Sequence, residues 1–170
     1  TAGSGSSLAL GISIRIVSPT GSNVLAGTLI ASTVDGINIE DIDPSVTALS
    51  TGGFVVTWTN NTSGVLQVFS QRFLANGTLD GAQITVEAGT DDINESSVVA
   101  LPDGGFIVFY DNESAANIQA QRYDSMGNTV GGQVTIASGG AAGDIDADLL
   151  DDGRVAVSFQ DASGEIRMTI

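Results

Sequence analysis

Carboxylates are the residues in this sequence with the clearest capacity for chemistry, and they gather in three places. Glu40, Asp41 and Asp43 form one group, Asp91, Asp92 and Glu95 a second, and Asp144, Asp146 and Asp148 a third. Each group stands just ahead of an apolar stretch rich in β-formers. Calcium takes several hard oxygens converging from a short loop. Asp144, Asp146, Asp148 and Asp152 have the 1, 3, 5, 9 spacing of a calcium loop, so Ca2+ is the cofactor this pattern points to. Two features oppose it. Leu149 stands where such a loop turns on glycine, and an extended 147–150 would hold alternate aspartates along one strand face. The other reading is a solvated acidic edge that discourages strand-to-strand aggregation.

The missing residue types narrow the chemistry further. There is no His and no Cys, and the five basic residues are all arginine. Serine or cysteine nucleophiles activated by histidine, imidazole or thiolate zinc sites and disulfides are therefore excluded. Arg15, Arg72 and Arg122 occur at related places and could converge on an anion, with Tyr110 or Tyr123 as a nucleophile. Recurrence favours a different reading, in which each Arg pairs with a carboxylate or turn carbonyl of its own segment. Trp58, Tyr110 and Phe159 could stack on sugar rings. Their equivalent strand-end positions favour core packing instead. N-x-S/T sequons at Asn60, Asn61, Asn76, Asn94 and Asn112 mark exposed turns.

A net charge of −15 repels phosphate backbones and anionic lipid, so nucleic acid is not an expected partner. No stretch approaches the roughly 20 apolar residues that cross a bilayer, and membrane insertion is not expected.

The elements that must position these residues are repeated. Leu49–Trp58 (LSTGGFVVTW) returns as Leu101–Tyr110 (LPDGGFIVFY) and, degraded, as Leu150–Phe159 (LDDGRVAVSF), at offsets of 52 and 49 residues. Val68–Phe73 returns as Ile118–Tyr123, and Gln83–Val86 as Gln133–Ile136, both 50 residues on. Ile12–Ile16 is a weaker copy of the Arg-bearing block. Alternation in Val65–Phe73 predicts a strand with one buried and one wetter face, and the nearly continuous apolar Phe54–Trp58 predicts one covered on both. The second unit is expected to carry strands near 54–59, 65–73, 83–87 and 97–101. The fold class is all-β, with three four-stranded antiparallel units over roughly 8–63, 64–115 and 116–170, propeller-like or stacked in an array. Residues 1–7 are small and polar and read as a flexible linker ahead of a single repeat domain, 8–170.

Pro44-Ser-Val46, Leu49, Gly52-Gly-Phe54, Val56, Trp58, Ser70-Gln-Arg-Phe73, Gly77, Gly81, Ile84 and Val86 carry a resemblance. The pattern resembles the tandem repeats of about 50 residues in large secreted bacterial surface proteins of the RTX, type I secretion kind. That resemblance implies export, an extracellular or cell-surface location and calcium-rich surroundings. It carries over no catalytic residue. The expected function is a non-enzymatic structural or adhesive module, a spacer or surface-assembly subunit, whose partners are neighbouring repeats or copies of itself, and surface glycans. A lectin-like carbohydrate-binding propeller is the alternative, and a glycan-acting enzyme domain the third reading.

Overall fold

The computed structural model describes residues 11–30, 41–62, 65–87, 93, 95–139 and 143–170. The expected linker at 1–7 lies outside them. Val, Ile and Thr alternating between Gly, Asn and Asp turns suit pleated strands, and the described residues form strands and turns without a helix. The chain is all-β. β1 (Ser13–Val17) pairs with β2 (Asn23–Leu29). β3 (Asp41–Ala48), β4 (Phe54–Thr62), β5 (Val65–Phe73) and β6 (Ile84–Glu87) form an antiparallel meander. β7 (Ser96–Ala100), β8 (Phe106–Asn112), β9 (Asn117–Tyr123) and β10 (Val134–Ser138) repeat it, and β11 (Asp146–Leu149), β12 (Val155–Gln160) and β13 (Ile166–Thr169) form the last sheet.

This corrects the expectation of three four-stranded units. The sheets hold two, four, four and three strands. The strand expected at 97–101 as the end of the second unit is β7, the start of the third sheet. The reason is loop closure. β7 is joined to β8 by a tight turn at 101–105, whereas the segment separating it from β6 is longer, so the hairpin partner is the cheaper one to bring into register.

Successive sheets pack face to face with β3, β7 and β11 as neighbouring inner strands, an arrangement that is propeller-like. Between the second and third sheets lie Val55, Val68 and Val86 on one side and Val98, Phe106, Val108, Tyr110 and Tyr123 on the other. Between the third and fourth lie Val99, Phe109 and Ala120 against Val157, with Leu149 and Val155 at the margin. Two polar bonds stitch the inner strands: Val98 N–H donates to Ser45 Oγ (3.3 Å), and the Ser96 and Thr57 hydroxyls meet at 3.2 Å.

The paired glycines of the repeat have separate duties. Gly104 sits at φ +88°, a left-handed conformation open to glycine, and its N–H closes the turn on Leu101 O at 3.1 Å. Gly105 has no room for a side chain, because a Cβ there would overlap the Tyr123 carbonyl oxygen, as one at Gly53 would overlap that of Phe73. That close approach lets Phe106 stack on Tyr123, and Phe54 on Phe73, each with ring centroids 5.0 Å apart. Gly105→Ala is expected to cost about 1–3 kcal/mol, the range for overpacking. Gly132→Ala, with nothing within 4 Å of the new Cβ, should stay within about 0.5 kcal/mol of the parent, and urea titration of both variants checks the difference.

Candidate functional site

In each meander the start of the inner strand and the end of the next strand share one edge of the sheet, as the pairings Asp41 with Asn60, Ser96 with Tyr110 and Asp146 with Ser158 show. The tight glycine turns lie at the opposite edge. The starts of the inner strands therefore share one end of the packed sheets.

Three carboxylates stand at that end in equivalent places. Asp43, Glu95 and Asp144 each lie six residues before the leucine that opens a tight turn, Leu49, Leu101 and Leu150. Asp43 sits at φ +54° in the irregular part of β3, between Ile42 and Ser45, and Asp144 at φ +50° just ahead of β11. A side chain at positive φ is uncommon, Asp and Asn being among the types that tolerate it.

Glu95 is the central member of the three. It is partly buried just before β7, and its carboxylate crosses to the fourth sheet, where Oε2 accepts the Ile145 N–H at 3.1 Å. Gly143 lies against it at φ +101°, a backbone conformation that favours glycine. The Glu95 pKa is raised above its ordinary 4.5, first by burial and then by the negative charges of Asp144 and Asp43, against the lowering effect of the Ile145 and Asp144 amides. Asp43 and Asp144 are exposed. One end of the molecule thus holds a carboxyl whose ionised form is disfavoured, with two exposed acidic residues beside it. Directly behind it, Asp111 is fully buried and its amide donates to Glu95 O at 3.2 Å.

The four aspartates of the expected calcium loop are divided among three places. Asp144 belongs with Glu95. Asp146 and Asp148 are exposed on one face of β11, each accepting the amide of the next residue, from Ala147 at 3.0 Å and Leu149 at 2.8 Å. Asp152 is in the tight turn beyond the strand, bound to Arg154 at 2.7 Å, and that pairing holds its pKa below the ordinary value. Among the described residues, no three acidic side chains are grouped closely enough to hold a metal ion. The strand period explains this: alternate positions share a face but stand roughly 7 Å apart. Asp91 and Asp92 lie outside the described residues.

The arginines do not converge. Arg72 pairs with Asp80 of its own sheet and Arg122 with Asp103 of its own, the latter at 2.5 Å. Arg15 is not their counterpart. The turn bonds Gly21 N to Ser18 O, Gly77 N to Leu74 O and Gly127 N to Asp124 O align Val17 with Phe73 and Tyr123, and hence Ile16 with Arg72 and Arg122. Contacts agree, since Gly77 meets Ile16 and Leu25 as Gly127 meets Arg72 and Ile84. Arg15 is therefore shifted by one residue and faces the other way. Trp58, Tyr110 and Phe159 are buried, in keeping with core packing. Asn112, expected in an exposed turn, is buried and caps Ala115 N–H at 2.9 Å.

No protein-family model and no curated protein matches the chain. Among solved structures, the chain is similar to the endo-arabinase from Bacteroides thetaiotaomicron VPI-5482, with a TM-score of 0.56 and 15% identity over 95% of this chain. It spans 66% of that chain. At this identity the likeness shows the fold alone. The match runs against the expectation of a non-enzymatic structural or adhesive module, since the solved structure it finds is an endo-arabinase.

A raised carboxyl pKa makes the ionised form the less stable one in the fold. Glu95 therefore stabilises below its unfolded pKa and loses that contribution as pH rises through its folded value. Glu95→Gln, which keeps an acceptor for Ile145, is expected to melt higher than the parent at pH 7. Its advantage should vanish near pH 4, and differential scanning calorimetry at the two pH values checks this. A lower melting temperature at both would show that the carboxylate is needed only as a structural tie.

Proposed function

We propose that the inner-strand carboxylates form a glycan site at which glycosidic bonds are hydrolysed. The observation that carries the reading is the contrast between Glu95, partly buried with its pKa raised, and the exposed Asp43 and Asp144. Glycoside hydrolysis needs an acid and a base drawn from two carboxyl groups, so a chain without histidine, cysteine or lysine lacks nothing essential for it. Carboxyl groups whose environments push their pKa values apart divide those two roles between them. Glu95 gives its proton to the departing glycosidic oxygen, and Asp43 or Asp144, as carboxylate, takes a proton from the water that attacks the anomeric carbon. The sum is addition of one water across one C–O bond.

The substrate class follows from charge. A chain at −15 disfavours uronic-acid and sulfated polymers, leaving neutral polysaccharides. The fold likeness to an endo-arabinase supports the same class. An extracellular setting, implied by the resemblance of the repeats to those of secreted surface proteins, suits a substrate too large to enter a cell.

Reducing-end release from linear arabinan and other neutral polysaccharides tests the reading. Glu95→Gln should lower the rate by about 10²–10⁴-fold, the usual yield of a general acid. Asp152→Asn, at the far turn, should leave it unchanged. Activity should fall as pH rises through the elevated Glu95 pKa, because the acid must be protonated. No release from any neutral polysaccharide by the parent chain would overturn the proposal.

A further inference from the structure

Trp58, Tyr110 and Phe159 align across the repeat, so the residues that follow them, Thr59, Asp111 and Gln160, hold equivalent places. Of the three, only Asp111 is an acid. It has no exposed surface, and a charge so placed is costly. Thr59, equally buried, shows that the repeated fold accepts a neutral side chain at this position. The acid therefore answers to something particular to the third sheet, the sheet that also carries Glu95 where its neighbours carry Asp43 and Asp144.

Register puts the two carboxyls side by side. β7 and β8 pair Val99 with Ile107 and Ser97 with Phe109, so the next pair on that face is Glu95 with Asp111, joined by the Asp111 amide. Residues directly opposite in an antiparallel pair project from the same face, with Cβ atoms roughly 5 Å apart. Val99 and Phe109 show which face it is, since both are buried against the fourth sheet. On its other side Asp111 is opposite Ile118 of β9, which packs with Phe159 and Ile145. The Ile145 amide is the one that Glu95 accepts. Asp111 thus lies between Glu95 and an apolar cluster. The other charges around the pair are placed differently. Asp43 and Asp144 act on Glu95 from exposed positions, and Arg167, which shares the face of Phe159, is engaged by Asp161 and Glu165.

Two carboxyls held together out of water lose their protons in two separated steps, because the second ionisation sets like charges side by side. We propose that Glu95 and Asp111 titrate as such a pair, keeping one proton between them at a pH where an isolated carboxyl has lost its own. Of the two, Glu95 alone is partly exposed. Under the glycan reading, on which this role rests, Asp111 is a positioning residue: its charge holds the proton on Glu95, which passes it to the glycosidic oxygen. Asp111 itself touches no substrate.

Carboxyl 13C NMR of the 170-residue chain, labelled in the Asp and Glu side chains, tests the pair without any substrate. In the parent, Glu95 and Asp111 should each move through two steps at common pH values. Asp111→Asn should leave Glu95 a single step with its midpoint lower by at least about one unit, the coupling at which two sites titrate together. Glu95→Gln should lower the Asp111 midpoint equally, since coupling between sites is reciprocal, and this variant decides the question if Asp111→Asn does not fold. Independent single steps, unmoved by either substitution, would overturn the proposal. The role is read from the pH profile of reducing-end release from linear arabinan, whose alkaline limb should move to lower pH in Asp111→Asn by the same amount. A limb that stays in place would remove Asp111 from the reaction. No release by the parent would sink the glycan reading and leave the pair to stand or fall on the titration.

Discussion

The structure depends on one constraint: the central sheets are apolar on both faces and so cannot stand alone. β8 buries Phe106, Val108 and Tyr110 toward the second sheet and Phe109 toward the fourth. Fully burying each such side chain contributes roughly 1.5–3 kcal/mol, so exposing either face would remove most of a small domain's stability. The sheets must therefore stack. Stacking in turn brings the inner strands together and assembles the ends of β3, β7 and β11 into one cluster. The carboxylates are neighbours because valines, phenylalanines and tyrosines elsewhere need covering.

This constraint explains which parts of the fold were legible in the sequence. The LSTGGFVVTW and LPDGGFIVFY blocks were conspicuous because the backbone approach at Gly53 and Gly105 tolerates no side chain, and the strand after them is covered on both sides. All-β character and strand limits near 54–59, 65–73 and 83–87 followed from the same signals. Phase did not. A repeat of about 50 residues has no natural starting point, and only hydrogen-bond partners reveal that β7 opens one sheet rather than closing another. Register failed similarly at β1. Aligning Arg15 with Arg72 by residue type overrode the turn, and in a strand one residue of slip exchanges the two faces.

The site was half legible. Carboxylates ahead of each core strand were evident, but spacing along the chain drew attention to Asp144, Asp146, Asp148 and Asp152. That spacing serves a loop and loses its meaning in a strand, where β11 spreads the same residues along one side. The informative comparison ran across the repeats. Counting back six residues from Leu49, Leu101 and Leu150 finds Asp43, Glu95 and Asp144, a signal present in the sequence. What no count could supply was the difference among the three. Glu95 is set apart by the Ile145 amide, which comes from the segment leading into the neighbouring sheet.

Equivalent positions in a repeat are expected to share a structural duty, and shared duty argues against chemistry. The carboxylates separate from the arginines on this point. Arg72 and Arg122 each find an acid within their own sheet, so their repetition satisfies a local need once per sheet. At the other end, the negative charges of Asp43 and Asp144 instead add to burial in disfavouring ionised Glu95. Mutual repulsion at one end of the stacked sheets is a cost that a purely structural residue would avoid, since a neutral glutamine could accept the same Ile145 amide. A cost of that kind, borne where the inner strands begin, is what a site reserved for a ligand looks like.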